Sequence, residues 1–258
     1  MIYIDQFPCR KQKVLAFALA PLLFSGILKA QNGLFISSGR IEFERKVNTY
    51  ASLEPGSTLF NTYKQLYSQF RILRFNLDFE NQKTSYYPMS GQNDESVQDG
   101  IAGMPSQNNI VLTDLQKRTS VTSKKIYEKE YLVEDSIPII RWKLTSEKRN
   151  IAGFECKRAN ALIMDSIYVV AFYCENILTG GGPESFSGLP GMILGIAIPS
   201  LHVSWFATKV SAQSSVSTEL IKPRSGAKMT RKEMQKDVGD IFERKGKFAW
   251  MYYITAFL

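Results

Sequence analysis

The sequence predicts a mainly β fold with minor α: a curved antiparallel sheet or partly closed half-barrel carrying one or two short helices. Three observations lead there. From residue 110 onward, apolar runs of strand length follow one another, separated by turn residues rather than by long helical stretches. Parallel crossovers need a dozen or more connecting residues, usually helical, and this region offers no room for them. The 258-residue chain is also rich in the rings that sheets favour, with 16 Phe, 12 Tyr and 3 Trp.

Residues 1–30 read as a segment apart from that fold. Arg10, Lys11 and Lys13 precede an apolar run from Val14 to Leu28, then Lys29-Ala30, the order of a secretory signal peptide. The run is short for a membrane span, which needs about 20 apolar residues, although an amino-terminal anchor is the competing reading. Export then leaves one β-rich domain over 31–258. Without residues 1–30 the formal charge falls from +8 to 28 basic against 23 acidic residues, +5. That mild, scattered excess suits anionic surfaces and is not a nucleic-acid footprint.

Along the domain, alternation marks a first strand over 39–47, and a helical aromatic stripe follows over 57–69. Alternation resumes over 70–79, and Asn81-Gln82-Lys83 turns it into a partner at 84–87. Residues 88–109 form a long polar loop whose Asp94, Glu95 and Asp99 do not fit a calcium loop. Further strands are expected over 110–115, 119–129, 139–145, 151–163, 167–176, 192–198, 201–210 and 216–221. Glu147-Lys148-Arg149-Asn150 and Asp165-Ser166 serve as turns among them. Thr230-Arg231-Lys232-Glu233 spells a capping box for a helix over 230–245. The apolar segment 248–258 is read as a final strand, with surface contact to a membrane or partner as the alternative.

Cys9 lies in the leader, which leaves Cys156 and Cys174. A hairpin centred on Asp165 sets those two directly opposite, so they are candidates for a disulfide, with two buried free thiols as the alternative.

The chain's densest glycine region is 180–196, with six of its 17 glycines. Within it lies the motif Gly188, Leu189, Pro190, Gly191, and Leu189-Pro190-Gly191-Met192 reads as a type II turn, proline presetting φ at the second position and Gly191 taking the positive φ at the third. That corner launches the apolar run from Met192 to Ile198. It reads as a structural hinge after a flexible glycine run, with no obvious acid, base, nucleophile or metal ligand in it.

Gly188-Leu189-Pro190-Gly191-Met192-Ile193 resembles the signature hexapeptide of the GLPGLI family, secreted proteins of Bacteroidota without an established activity. Asp135-Ser136-Ile137-Pro138, Trp142-Lys143-Leu144, Ile151-Ala152-Gly153-Phe154-Glu155-Cys156 and Ala171-Phe172-Tyr173 resemble its upstream motifs in order. Two positions depart: Phe172 replaces the usual tryptophan, and Gly195 stands where the family carries an acidic residue. The resemblance implies export and a β-rich fold.

Reactive constellations do not assemble from the sequence. No Gly-Lys-Ser/Thr follows Gly182, so phosphate-loop chemistry is excluded. His202 is the single histidine, which removes multi-histidine zinc sites. Ser185-Phe186-Ser187-Gly188 is not a nucleophile elbow. No catalytic residue, cofactor, metal or nucleic acid is therefore expected. The expected function is an exported, non-enzymatic, carrier-like binding protein of the cell envelope, placed in the periplasm, on the outer-membrane surface or outside. It holds an apolar ligand or a partner segment on its curved sheet. A module docking on an outer-membrane protein assembly, through 88–109 or 248–258, and an envelope hydrolase are the rivals.

Overall fold

A computed structural model describes residues 35–91, 108–126, 129–213, 220–243, 253, 254 and 257. The leader over 1–30, residues 92–107 of the polar loop and most of 248–258 lie outside the described residues. The described chain runs β1 (Gly39–Asn48), α1 (Thr58–Leu66), β2 (Phe70–Glu80), β3 (Lys83–Pro88), β4 (Ile110–Asp114) and β5 (Thr119–Ile126). It continues with β6 (Lys129–Ser136), β7 (Lys143–Ile151), β8 (Phe154–Ile163), β9 (Ile167–Cys174) and β10 (Met192–Ile198). It closes with β11 (Val203–Ala212), β12 (Ala227–Met229) and α2 (Arg231–Glu243).

All twelve strands join one open sheet in the order β12-β6-β5-β4-β3-β2-β1-β11-β10-β9-β8-β7. Every pairing is antiparallel except the short β12–β6 edge pair. The fold is thus mainly β, with two short helices. Alternation sets the faces: Phe43, Phe75, Tyr86 and Trp205 are buried on one face, called inner here, while Glu42, Glu44 and Lys46 stand on the other. Two-residue turns close the hairpins at Asn81-Gln82 and Ala152-Gly153 and a three-residue loop, Met164 to Ser166, closes β8–β9, each with residues at positive φ.

Several expectations need correction. Glu147 to Asn150 is no turn; it lies inside β7, an edge strand whose residues from Lys143 to Asn150 face solvent almost throughout, and the turn sits at Ala152-Gly153. Charge on both faces of an edge strand removes the alternation that marks a strand, and it also guards a free edge. Residues 137–142 are unpaired coil, so the expected 139–145 strand begins only at Lys143. Of the expected 216–221 strand, residues 220 and 221 are unpaired, and the remainder lies outside the described residues. Tyr253 and Ile254 are helical rather than extended, with Ile254 buried in the main core. Thr230 does cap α2, its Oγ1 accepting from the Glu233 amide at 3.3 Å while Glu233 Oε2 accepts from the Thr230 amide at 2.7 Å.

The end of the chain wraps the β6 edge. Ser85 Oγ donates to the Ile221 carbonyl at 2.7 Å and Ser123 Oγ to that of Ser225 at 3.1 Å, both from the outer face. After β12, α2 returns on the inner face, where Met234 and Val238 pack with Tyr131 and Val133. Among the described residues no helix is long and apolar enough to cross a membrane.

Candidate functional site

The glycine-rich connection between β9 and β10 is a buried element of the core, not a flexible surface loop. Gly181, Gly182, Pro183, Glu184, Phe186 and Ser187 are all buried. The glycines allow close backbone approach. A Cβ on Gly181 would stand 2.7 Å from the Thr84 methyl of β3, and one on Gly182 would stand 2.8 Å from Ile193 of β10. The Ile193 amide donates to the Gly181 carbonyl at 2.8 Å, Trp142 Nε1 to that of Ser187 at 2.9 Å, and Gln82 Nε2 to that of Leu178 at 3.1 Å. The loop is therefore tied to residues far apart in the chain.

The corner at its end differs from the expected type II turn. The Gly191 amide donates to the Leu189 carbonyl at 2.8 Å, a three-residue turn about Pro190, and the Met192 amide reaches back to Ile177 at 3.1 Å. Gly191 still needs to be glycine. Its φ is +146°, and a Cβ there would sit 2.2 Å from the Cys174 carbonyl oxygen. Gly195 has a packing reason of its own, since a Cβ would meet the Phe206 ring at 2.7 Å.

The loop also holds the residue that sequence reading passed over. Glu184 is 2 % exposed and adopts φ +53°, a backbone region unfavourable for a side-chain-bearing residue. Asn109 Nδ2 donates to its Oε2 at 2.8 Å, and the charges of Lys124 from β5 and Arg45 from β1 act on it. Burial raises the Glu184 pKa above the ordinary carboxylate value, opposed by Lys124, Asn109 and Arg45. Burial likewise pulls Lys124, 8 % exposed, down to about 8, with Glu184 working against the shift. Arg45, 1 % exposed, has its guanidinium 5.4 Å from the Trp205 ring centroid. Tyr86 Oη, Trp205 Nε1 and Glu184 Oε1 lie in this cluster, buried and without a hydrogen bond of acceptable geometry among the described residues. Trp205 nevertheless eases the ionisation of both Tyr86 and Glu184.

The loop's contacts mark the curvature of the sheet. From β3 to β10 is four strand spacings, roughly 19 Å on a flat sheet. The consecutive Gly181 and Gly182 lie against Thr84 of β3 and Ile193 of β10, so the sheet bends around the loop. The small cleft beside it, between Lys124, Ser185, Arg231 and Phe257, is about 20 Å³. That is room for a water molecule, not for an organic substrate.

The loop's other side faces an open depression of about 530 Å³, formed by Ile137–Ile140, Leu115 and the corner residues Gly188, Leu189 and Pro190, with Gln82, Arg118 and Ser187 as its polar lining. Ile139 projects there, 80 % exposed. His202 lies elsewhere. It follows a 3-10 turn between β10 and β11, is exposed at φ +51°, and lines a second open depression with Lys46 and Phe70. Cys156 and Cys174 are buried free thiols on neighbouring strands. Cys156 Sγ donates to the Phe154 carbonyl at 3.5 Å and Cys174 Sγ to Asn176 Oδ1 at 3.9 Å, and the proximity of the two thiols lowers the Cys174 pKa to about 7 and raises that of Cys156. No three His, Cys, Asp or Glu side chains among the described residues come together as a metal site.

An open, strongly bent sheet with its interior filled by a buried loop is the class of structure these features define. No family model matches the chain, and no curated protein matches it. Among solved structures the chain is similar to PNGF-II in two crystal forms. Over one of them the TM-score is 0.51 at 12% identity, covering 78% of this chain and 33% of that one. Over the other it is 0.51 at 11% identity, with 77% and 32% covered. The chain thus spans about a third of the length of those structures, and the likeness is one of fold.

Proposed function

We propose that the protein is an exported, non-enzymatic binding protein of the cell envelope whose corner depression holds an extended apolar segment of a partner protein. The observation that carries the reading is that depression of about 530 Å³, with Ile139 projecting into it from unpaired coil. Pockets for small apolar ligands enclose most of the ligand surface. Here the space beside Lys124 and Ser185 is water-sized, and the corner depression, like the one beside His202, is open to solvent. An open site suits a segment that remains attached to a larger body in solvent. The buried Glu184 contacts hold the loop rigid behind the corner, which lowers the ordering cost of docking. The charged, apolar, small-residue order of residues 1–30 and the resemblance to the GLPGLI family support export.

The test is selection of displayed random peptides on the folded protein, followed by titration of the selected peptides. Extended peptides with apolar side chains should bind, and Ile139→Asp should weaken them at least tenfold while leaving Tm unchanged. Absence of any binder, or binders indifferent to Ile139→Asp, would refute the corner as the docking site. A fluorescent fatty-acid analogue that bound tightly where peptides did not would favour the small apolar ligand instead.

A further inference from the structure

The geometry points to a cross-strand disulfide between Cys156 and Cys174 that braces the corner. In the β8–β9 pair Lys157 faces Tyr173 and Arg158 faces Phe172, and the same register sets Cys156 opposite Cys174. Directly opposed residues of antiparallel strands have Cα atoms about 4.5–5.5 Å apart, inside the range of roughly 4.4–6.8 Å that a disulfide spans. Both thiols are buried, and each is close enough to shift the other's titration. The pair also adjoins the corner. Cys174 pairs with Met192, and its carbonyl is the atom that the missing Gly191 side chain would strike. A covalent link there fastens β8 to the strand against which the corner rests.

The chemistry needs an external disulfide, such as that of oxidised glutathione or of a thiol–disulfide oxidoreductase. The Cys174 thiolate attacks one sulfur of that disulfide and expels a thiolate, giving a mixed disulfide. Cys156 then loses its proton and attacks the Cys174 sulfur, expelling the second thiolate. Two protein thiols are oxidised, the external disulfide is reduced to two thiols, and the two protons pass to them. Since both thiols are buried in the folded chain, the exchange takes place while the β8–β9 hairpin is still accessible during folding.

The experiment is to refold the reduced, denatured full chain in a mixture of reduced and oxidised glutathione. Remaining thiols are then alkylated under denaturing conditions and the peptides mapped by mass. The expected product carries a linked Cys156–Cys174 peptide lighter by two hydrogen atoms, with Cys9 alkylated. Full alkylation at 156 and 174, or linkage through Cys9, would overturn the assignment. The linked form should melt roughly 5–10 °C above the reduced form, as expected for a loop of this size. The amides of Leu189, Gly191, Met192 and Ile193 should also exchange more slowly in it. Equal Tm and equal exchange in the two forms would overturn the bracing role. Cys156→Ala tests this separately, because its Tm should no longer respond to the glutathione ratio.

Discussion

Glu184 combines two locally unfavourable features, a buried carboxyl group and a positive φ, and the surrounding fold has to hold both. Sequence could not flag it, because Pro183-Glu184-Ser185 in a glycine run looks like any solvated loop. Only the bending of the sheet brings Asn109, Lys124 and Arg45 to it. Lys124 gives the cluster a measurable signature. Its folded-state pKa of about 8 lies below the ordinary 10.5 because burial disfavours the ammonium. Below about 8 both folded and unfolded chains carry the proton, so the burial penalty is fully present. Between about 8 and 10.5 the unfolded chain keeps a proton that the folded chain has released, so stability rises with pH. Relative to Lys124→Met, the wild-type protein should therefore gain up to about 3 kcal/mol across that window. Chemical denaturation at a series of pH values measures the difference. Parallel curves for the two proteins would show that Lys124 is not held in a desolvated setting.

At the level of the element, sequence served best where one face of a strand is buried and worst where both faces are alike. β1 and β2 alternate cleanly and were legible nearly to their ends. β7 carries Glu147, Lys148 and Arg149 in succession on an exposed edge, so its interior looked like a turn. The corner was legible in its demand for glycine but not in its hydrogen bonding, since the choice between a three- and a four-residue turn depends on Ile177 taking the Met192 amide. Two glycines separate the causes of that demand. Gly191 faces both a positive φ and the Cys174 backbone at 2.2 Å, whereas Gly153 has φ +86° and nothing within 4 Å of an added Cβ. Gly153→Ala should thus cost about 1 kcal/mol, the backbone penalty alone. Gly191→Ala should cost more than about 3 kcal/mol, because backbone must also move. Thermal denaturation of the two variants decides it, and similar losses would mean that the strand beside the corner yields readily.

Across the whole molecule, the buried apolar residues fall into two unequal clusters. The larger one joins the loop to β1, β2 and β8–β11, through residues such as Phe186, Trp205 and Ile196. The smaller one holds Met234 and Val238 of α2 against Ile126, Tyr131 and Val133, near the edge that the returning chain wraps. A capping box made α2 legible, but its destination was not, because nothing in a local pattern says which sheet face a helix will cover. Its polar anchors are few: Asp237 accepts from Lys129 at 2.5 Å and from Tyr131 at 2.8 Å, and Asp135 accepts from the Arg231 amide at 3.0 Å. Such a division predicts a local opening of the α2 end below the global unfolding free energy. Met234→Ala should lower the stability of that end by about 2–3 kcal/mol, the low side of the range for a buried methionine, since the small cluster can partly collapse. In hydrogen exchange the α2 and β6 amides should then speed up together, by roughly 30- to 150-fold under conditions where exchange follows the opening equilibrium. Amides in β1, β2 and β9 should keep their wild-type rates, because their core does not include Met234. If those central strands accelerated by the same factor, α2 and the sheet would be one cooperative unit, and the two clusters would be a single core.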